Sequence, residues 1–240
     1  MRPDKNIKVL VDTSVVRDAI TTEIKKEFRE IQWGPTTHRY EVEVEHPKEA
    51  FSDTEHWRIN QILALSETGQ LARTGHIIAF TYLGLDFEYW LGRPGLINGT
   101  GNLLRDVDMQ TVDPAFDPSY LFPIAFNREN LKQAIPNFVD LVIRTPDSFW
   151  DAPEIKNQLA AAPEIQQKNF QNRSRLIELS EGLSFEQYKD AFHIWTAEVN
   201  GLDYFLTNDR KIINFFHLTS KAEPKAYPIS PHMLINIIHQ

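Results

Sequence analysis

Short apolar runs alternate with amphipathic stretches along most of the chain. Ile7 to Val11 (IKVLV), Ile77 to Phe80 (IIAF) and Tyr204 to Leu206 (YFL) are nearly continuous apolar segments, the pattern of strands buried on both faces. After the first run, Asp12-Thr13-Ser14 ends a strand and opens a helix expected over Val15 to Glu30, with Lys and Glu on its outer face. From Trp33 to Pro47, Tyr40, Val42 and Val44 alternate with Glu41, Glu43 and Glu45, the period-2 signature of a half-buried strand. That stretch reads as an inserted hairpin. Thr54 to Thr68 returns to helical spacing through Trp57, Ile62, Leu63 and Leu65, with Gly69 as its expected stop. Leu83 to Leu91 reads as a helix closed by Gly92-Arg93-Pro94.

Between Pro94 and about Ser148 the chain is rich in Gly, Pro, Asn and Asp; Asn130 to Val142 is expected as helix and Leu141 to Arg144 as a strand. Glu154 to Gln171 reads as a polar, exposed helix. The last third is the most legible. Ser184 with Gln187 three residues on is a capping box, and the helix it opens carries Tyr188, Ala191, Phe192, Trp195 and Val199 before Gly201 caps it. Thr207-Asn208-Asp209 ends the YFL strand and caps a helix over Arg210 to Phe216; Ser230 as N-cap and Pro231 at the first helical position start a terminal helix. Strands alternating with helices predict an α/β fold whose sheet is mostly parallel and covered on both faces.

Composition narrows the chemistry. An apolar share of 42% and aromatics at 11% are enough to fill a core, which argues against a disordered chain. With no Cys among 240 residues, disulfides, zinc–thiolate sites and thiol nucleophiles are excluded. The opening MRPDKNIKVLVD has no apolar run long enough for a signal peptide, and no stretch approaches the roughly 20 apolar residues of a membrane span, so the expectation is a cytoplasmic protein. The net charge of −8 argues mildly against a protein that coats nucleic acid, but it does not exclude an enzyme whose acids hold cations.

Two acids occupy equivalent places: Asp12 follows one buried strand and Asp209 another, each at the carboxyl end. Open parallel sheets bind ligands outside those ends. A third acid, Asp190, lies near the start of the helix that feeds the YFL strand, and the helix after IIAF offers Asp86 and Glu88. Several carboxylates in one cleft repel unless a cation lies between them, and hard oxygen ligands suit Mg2+ or Mn2+ rather than zinc. Singly, each acid has a plainer explanation: Asp12 and Asp209 as helix N-caps, Asp190 as a solvated first-turn acid. The combination carries the case.

At these residues the sequence resembles the PIN-domain family. The stretch DAFHIWTAEVNGLDYFLTNDRKIINF, from Asp190 to Phe215, is similar to the family's Asp-Ala-x-His helix, Gly, apolar strand and Thr-Asn-Asp; VLVDTSV, Val9 to Val15, resembles its opening strand and acid, and Ile229-Ser230-Pro231 its last strand and helix start. The resemblance implies an α/β/α sandwich, one domain with extra segments at about residues 33–47 and 94–162, and Mg2+- or Mn2+-dependent ribonuclease activity leaving a 5′-phosphate. It makes Asp12, Asp190 and Asp209 the first, third and fourth acids, with Glu88, or else Asp86, as the second. Thr13, Ser14, Thr207 and Asn208 would support them, and Arg210 and Lys211 would touch substrate phosphate, although a solvated helix face explains the last two equally well. His193 matches the family's His; a hydrogen-bonded core residue is its plainer role. The implied partners are RNA, an antitoxin protein of a toxin–antitoxin pair whose segment would thread the cleft, and a second copy in a homodimer. A non-catalytic PIN module serving as scaffold or RNA-binding subunit is the competing expectation. A structure-selective DNA nuclease ranks last because no basic stripe is present.

Overall fold

A computed structural model describes residues 6–48, 56–92, 101–121 and 128–240. In chain order these form β1 (Ile7–Val11), α1 (Thr13–Ala19), β2 (Thr22–Trp33), β3 (Thr36–Pro47), α2 (His56–Arg73), β4 (Ile77–Thr81), α3 (Leu83–Gly92) and β5 (Met109–Thr111). There follow α4 (Arg128–Arg144), α5 (Asp147–Trp150), α6 (Pro153–Leu159), α7 (Glu164–Gln171), α8 (Ser174–Ser180), α9 (Tyr188–Val199), β6 (Tyr204–Leu206), α10 (Arg210–Asn214), β7 (Tyr227–Ile229) and α11 (Pro231–Ile238).

The chain is a mixed α/β protein around a five-stranded, wholly parallel sheet in the order β5-β4-β1-β6-β7. Both faces are covered. Val9 and Val11 pack with Leu65 of α2 and Leu234 of α11, while Leu10 between them points into the opposite cluster with Phe138 of α4 and Phe192 of α9. This alternation explains why the strand reads as continuously apolar. The chain builds outward from β1 to β4 and β5, then returns to the other side of β1 for β6 and β7. The strand order therefore reverses beside β1, and the crevice outside the carboxyl ends of β1 and β6 is where such sheets bind ligands. Among the described residues no helix is long and apolar enough to cross a membrane.

Several expected elements differ. The helix expected over Val15 to Glu30 is α1 alone, ending at Ala19. Thr22–Trp33 instead pairs antiparallel with β3 from Thr22↔Pro47 to Trp33↔Thr36. Charges spaced like a helix face mislead here, because cross-strand pairing overrides local propensity. The hairpin thus spans residues 22–47, not 33–47. Gly34 (φ +62°) and Pro35 make its two-residue turn; Pro cannot take positive φ, which leaves the type II′ geometry with Gly first. Gly69 does not stop α2, which runs on to Arg73. It is there for room: a Cβ would lie 2.4 Å from the Leu103 carbonyl oxygen.

The strand expected at Leu141–Arg144 is the last turn of α4, with Phe138, Val139 and Val142 on its buried face; a four-residue apolar run does not distinguish strand from helix. β5, which nothing in the sequence marked, takes the sheet edge. The stretch expected as one exposed helix, Glu154 to Gln171, is α6 and α7, and α7 buries Gln166 and Phe170. The end of the expected 54–68 helix nearest Thr54, and Arg93 to Thr100, lie outside the described residues. In the last third the capping box, the Gly201 cap (φ +63°), and the Ser230–Pro231 helix start all form as read.

Candidate active site

Strand β1 delivers Asp12 into the crevice. Its backbone N–H donates to the Leu206 carbonyl (2.9 Å), which fixes the end of β1 against the end of β6. The carboxylate is 6% exposed and, as an N-cap, makes no side-chain cap hydrogen bond. It accepts instead from three hydroxyls: Ser14, Thr207 (2.7 Å) and Thr13 (3.3 Å). The Ser14 hydroxyl also accepts from the Asn208 N–H (3.0 Å). The two strand ends are thus laced together around one carboxylate by the hydroxyls of Thr13, Ser14 and Thr207 and the Asn208 N–H, while the Asn208 side chain turns away and donates to Asp18 (3.0 Å).

Asp209 caps α10. One oxygen accepts from the Lys211 N–H (2.8 Å) and the Ile212 N–H (3.4 Å), so the N-cap reading is realised. Asp190, in the first turn of α9, is 6% exposed, and among the described residues no group hydrogen-bonds to its side chain. Burial pushes its carboxyl well above the usual range; Asp12, Asp209 and Glu88 push the same way, and the Lys189 ammonium opposes them. Asp12, Glu88 and Asp209 therefore all act on Asp190 through space.

Of the two acids that α3 offers, Glu88 is the one that faces the residues of the crevice. Its Oε2 accepts from Thr13 (3.3 Å) and from Lys189 (3.4 Å), and its Oε1 stands 3.6 Å from His193 Nε2. That last separation is an electrostatic contact rather than a full hydrogen bond. Burial pushes the Glu88 carboxyl up, but His193 and Lys189 outweigh it and hold it below the ordinary carboxylate range. Asp86 is turned elsewhere, accepting from Thr81 at the end of β4 (2.8 Å). Asp203 accepts from the Lys8 N–H (2.9 Å) at the opposite end of the sheet, so it is no part of the site. Arg210 and Lys211 are exposed, and their side chains make no ion pair among the described residues.

Two groups here carried no signal in the sequence strong enough to single them out. Lys189, one residue before Asp190, puts its ammonium among the acids; burial lowers its pKa, but Glu88, Asp190 and Asp12 raise it further, so it stays charged. Tyr82 is fully buried and its hydroxyl lies 2.6 Å from His193 Nδ1. Burial, then Glu88, Asp12 and Asp190, hold the phenol proton on. Tyr82 can therefore donate to Nδ1, which leaves the imidazole proton on Nε2, facing Glu88. His193 is the hydrogen-bonded core residue expected, and it also props an acid.

Among the described residues, no three acidic or imidazole side chains are set at metal-ligand spacing. The near positions around Asp12 and Glu88 are taken by hydroxyls and by Lys189, so the acids are coupled without forming a closed cage.

The energetic balance makes a prediction. A carboxyl whose folded pKa is raised contributes stability at low pH that is lost as pH rises through the folded value. Asp190 is such a group, so ionised it weakens the metal-free protein at neutral pH. Asp190→Asn is expected to raise the metal-free melting temperature by a few degrees at pH 7 and to leave it nearly unchanged near pH 4, read by calorimetry. Glu88 works in the opposite sense, its contribution fading as pH falls below the ordinary carboxylate range. An unchanged melting temperature at pH 7 would mean that Asp190 is not a strained acid.

Compared with family models, with curated proteins and with solved structures, the chain gives no match.

Proposed function

We propose that the chain is a metal-dependent endoribonuclease with a PIN-type α/β/α catalytic core, hydrolysing RNA phosphodiester bonds at the crevice beyond β1 and β6. The observation that carries this reading is Asp190: a buried carboxylate with no hydrogen-bond partner among the described residues, flanked by Asp12, Glu88 and Asp209. Such a group is costly in the free protein and is relieved by a cation. The donor set fits: hard carboxylate oxygens with hydroxyls beside them suit Mg2+ or Mn2+. Asp12, Glu88, Asp190 and Asp209 would hold the ion. When bound, it supplies Lewis-acid activation of water and of the scissile phosphate.

The chain's own residues do the rest. Ser14, Thr13 and Thr207 lock the Asp12 carboxylate in one orientation. Tyr82 and His193 back Glu88 from the buried side. Lys189 balances the acids in the free protein and is placed to meet a phosphate oxygen once substrate displaces it from Glu88. Arg210 and Lys211, exposed beyond Asp209, supply charge for the flanking backbone.

A second reading rests on Lys189 and on the open spacing of the acids. If the ammonium is the permanent counter-ion of Glu88, the crevice is a sealed relic and the protein a non-catalytic, RNA-binding or scaffolding module. Thermal unfolding against Mn2+ concentration separates the two. A ligand that binds only the native state stabilises by about 2.7 kcal/mol at a hundredfold excess over Kd. For a chain of this size that is roughly 5–10 °C. The nuclease reading expects a saturable rise in the wild type that Asp12→Asn with Asp209→Asn abolishes. No rise in either protein would transfer the assignment to the non-catalytic module.

A further inference from the structure

The β2–β3 hairpin has an open design. Each strand has 12 residues, about 40 Å of extended chain, and not one residue of either strand is buried. Ile24, Phe28, Ile31, Trp33 and Tyr40 expose between 44% and 77% of their surface. A two-stranded sheet of this kind is marginal in water, and among the described residues both its edges offer unpaired backbone groups to another strand.

The two edges differ in charge. On β3, Glu41, Glu43 and Glu45 share one face, opposite Phe28, Lys26 and Ile24. A second copy of β3 laid antiparallel along that edge would set Glu against Glu, which is destabilising. On β2 the run Lys26-Glu27-Phe28-Arg29-Glu30 is a charge palindrome about Phe28. Antiparallel to its own copy and centred there, it sets Lys26 opposite Glu30, Glu27 opposite Arg29 and Phe28 opposite Phe28. Moving the centre one residue either way brings Glu27 against Glu27, or Arg29 against Arg29.

The backbone agrees. Counting from the Trp33–Thr36 pair, which closes the turn with mutual hydrogen bonds, Lys26, Phe28 and Glu30 belong to the pairs whose N–H and C=O point away from β3. Those groups line the free edge of β2. Around Phe28, among the described residues, the side chains keep within the hairpin: Lys26 pairs with Glu41 (2.6 Å), Glu27 with His46 (2.7 Å), and Arg39 lies over the Phe28 ring at 4.2 Å.

We propose that this edge of β2 is the interface between two copies of the chain, which pair antiparallel about Phe28 into one four-stranded sheet, β3-β2-β2-β3. The dimer completes what the lone hairpin lacks: its inner strands become fully paired, and its outer edges are the acidic β3 strands that resist further addition. The surface includes none of the acids of the crevice, so it stands or falls independently of the nuclease reading.

Charge exchange tests it. Sedimentation velocity of the whole chain should show a concentration-dependent dimer. Lys26→Glu with Arg29→Glu turns four opposed pairs into four like ones and should weaken the dimer on the order of a hundredfold. Glu27→Lys with Glu30→Lys should do the same, and an equimolar mixture of the two variants should regain wild-type dimerisation as a heterodimer. Because the chain has no Cys, Phe28→Cys should also give a covalent dimer on mild oxidation, whereas Glu41→Cys on the other edge should not. A wild type that stays monomeric would overturn the proposal and leave the edge to a strand from another protein. So would a dimer that survives either charge reversal, or variants that fail to restore each other.

Discussion

Asp12→Asn is expected to cut the rate of RNA hydrolysis by about a thousandfold or more, the scale seen when one preorganised electrostatic group is removed from an active site. The fold should survive. Asn keeps the shape of Asp, and the three hydroxyls that now donate to the carboxylate can rotate to accept from an amide nitrogen. Loss of activity at unchanged metal-free stability is therefore the signature of a working carboxylate rather than a structural one. The second acid is decided in the same assay. Glu88→Gln should lose activity on a similar scale, because Glu88 faces Thr13, Lys189 and His193 within the crevice. Asp86→Asn should leave the rate within about threefold, because Asp86 is occupied by Thr81 at the end of β4. Wild type and Asp12→Asn cleaving at the same rate would sink the catalytic assignment and mark the activity as a contaminant. A large loss in Asp86→Asn with none in Glu88→Gln would reverse the order of the two acids.

The crevice was legible because short sequence signals and sheet topology agree there. A buried strand followed by Asp12, and a second followed by Thr207-Asn208-Asp209, are patterns of adjacent residues, and the β1–β6 pairing brings them together as parallel sheets require. Asp190 is legible for the same reason, through its helix. The choice between Asp86 and Glu88 was not, since both stand on α3 two residues apart and only the facing elements decide which reaches the acids. Tyr82 and Lys189 escaped because neither residue type is rare next to an acid; their roles appear only when His193 and Glu88 face them across the fold. The hairpin was half legible. The alternation in β3 is plain, whereas β2 carries charges at helical spacing and becomes a strand only by pairing with β3. β5 has three residues and no alternation to read, so its place at the sheet edge is set wholly by β4.

The segment from 94 to 162 resisted reading for a different reason: its apolar residues are sparse in sequence but converge in space. Phe116→Ala is expected to destabilise the whole protein by about 3–5 kcal/mol, the cost of emptying a fully buried aromatic site. For a chain of this length that lowers the melting temperature by roughly 10 °C or more. Phe116 is stacked on Phe138 (centroids 5.5 Å apart) and lies 4.8 Å from the Phe170 ring, with Tyr120 against its edge. Phe138 in turn meets Phe192 of α9, so this aromatic cluster runs from the segment into the helix that bears Asp190. Two polar ties reinforce the join: the Ala115 N–H donates to the Thr196 hydroxyl (3.2 Å), and the Asn200 amide donates to the Asp113 carbonyl (2.9 Å). A cavity at Phe116 should therefore loosen α9 as well as its own segment. One cooperative transition, shifted down as a whole and accompanied by weaker Mn2+ stabilisation, is the expected calorimetric result. If the segment were an appendage, the variant would instead show a small early transition with the main one unmoved, and Mn2+ stabilisation would be intact.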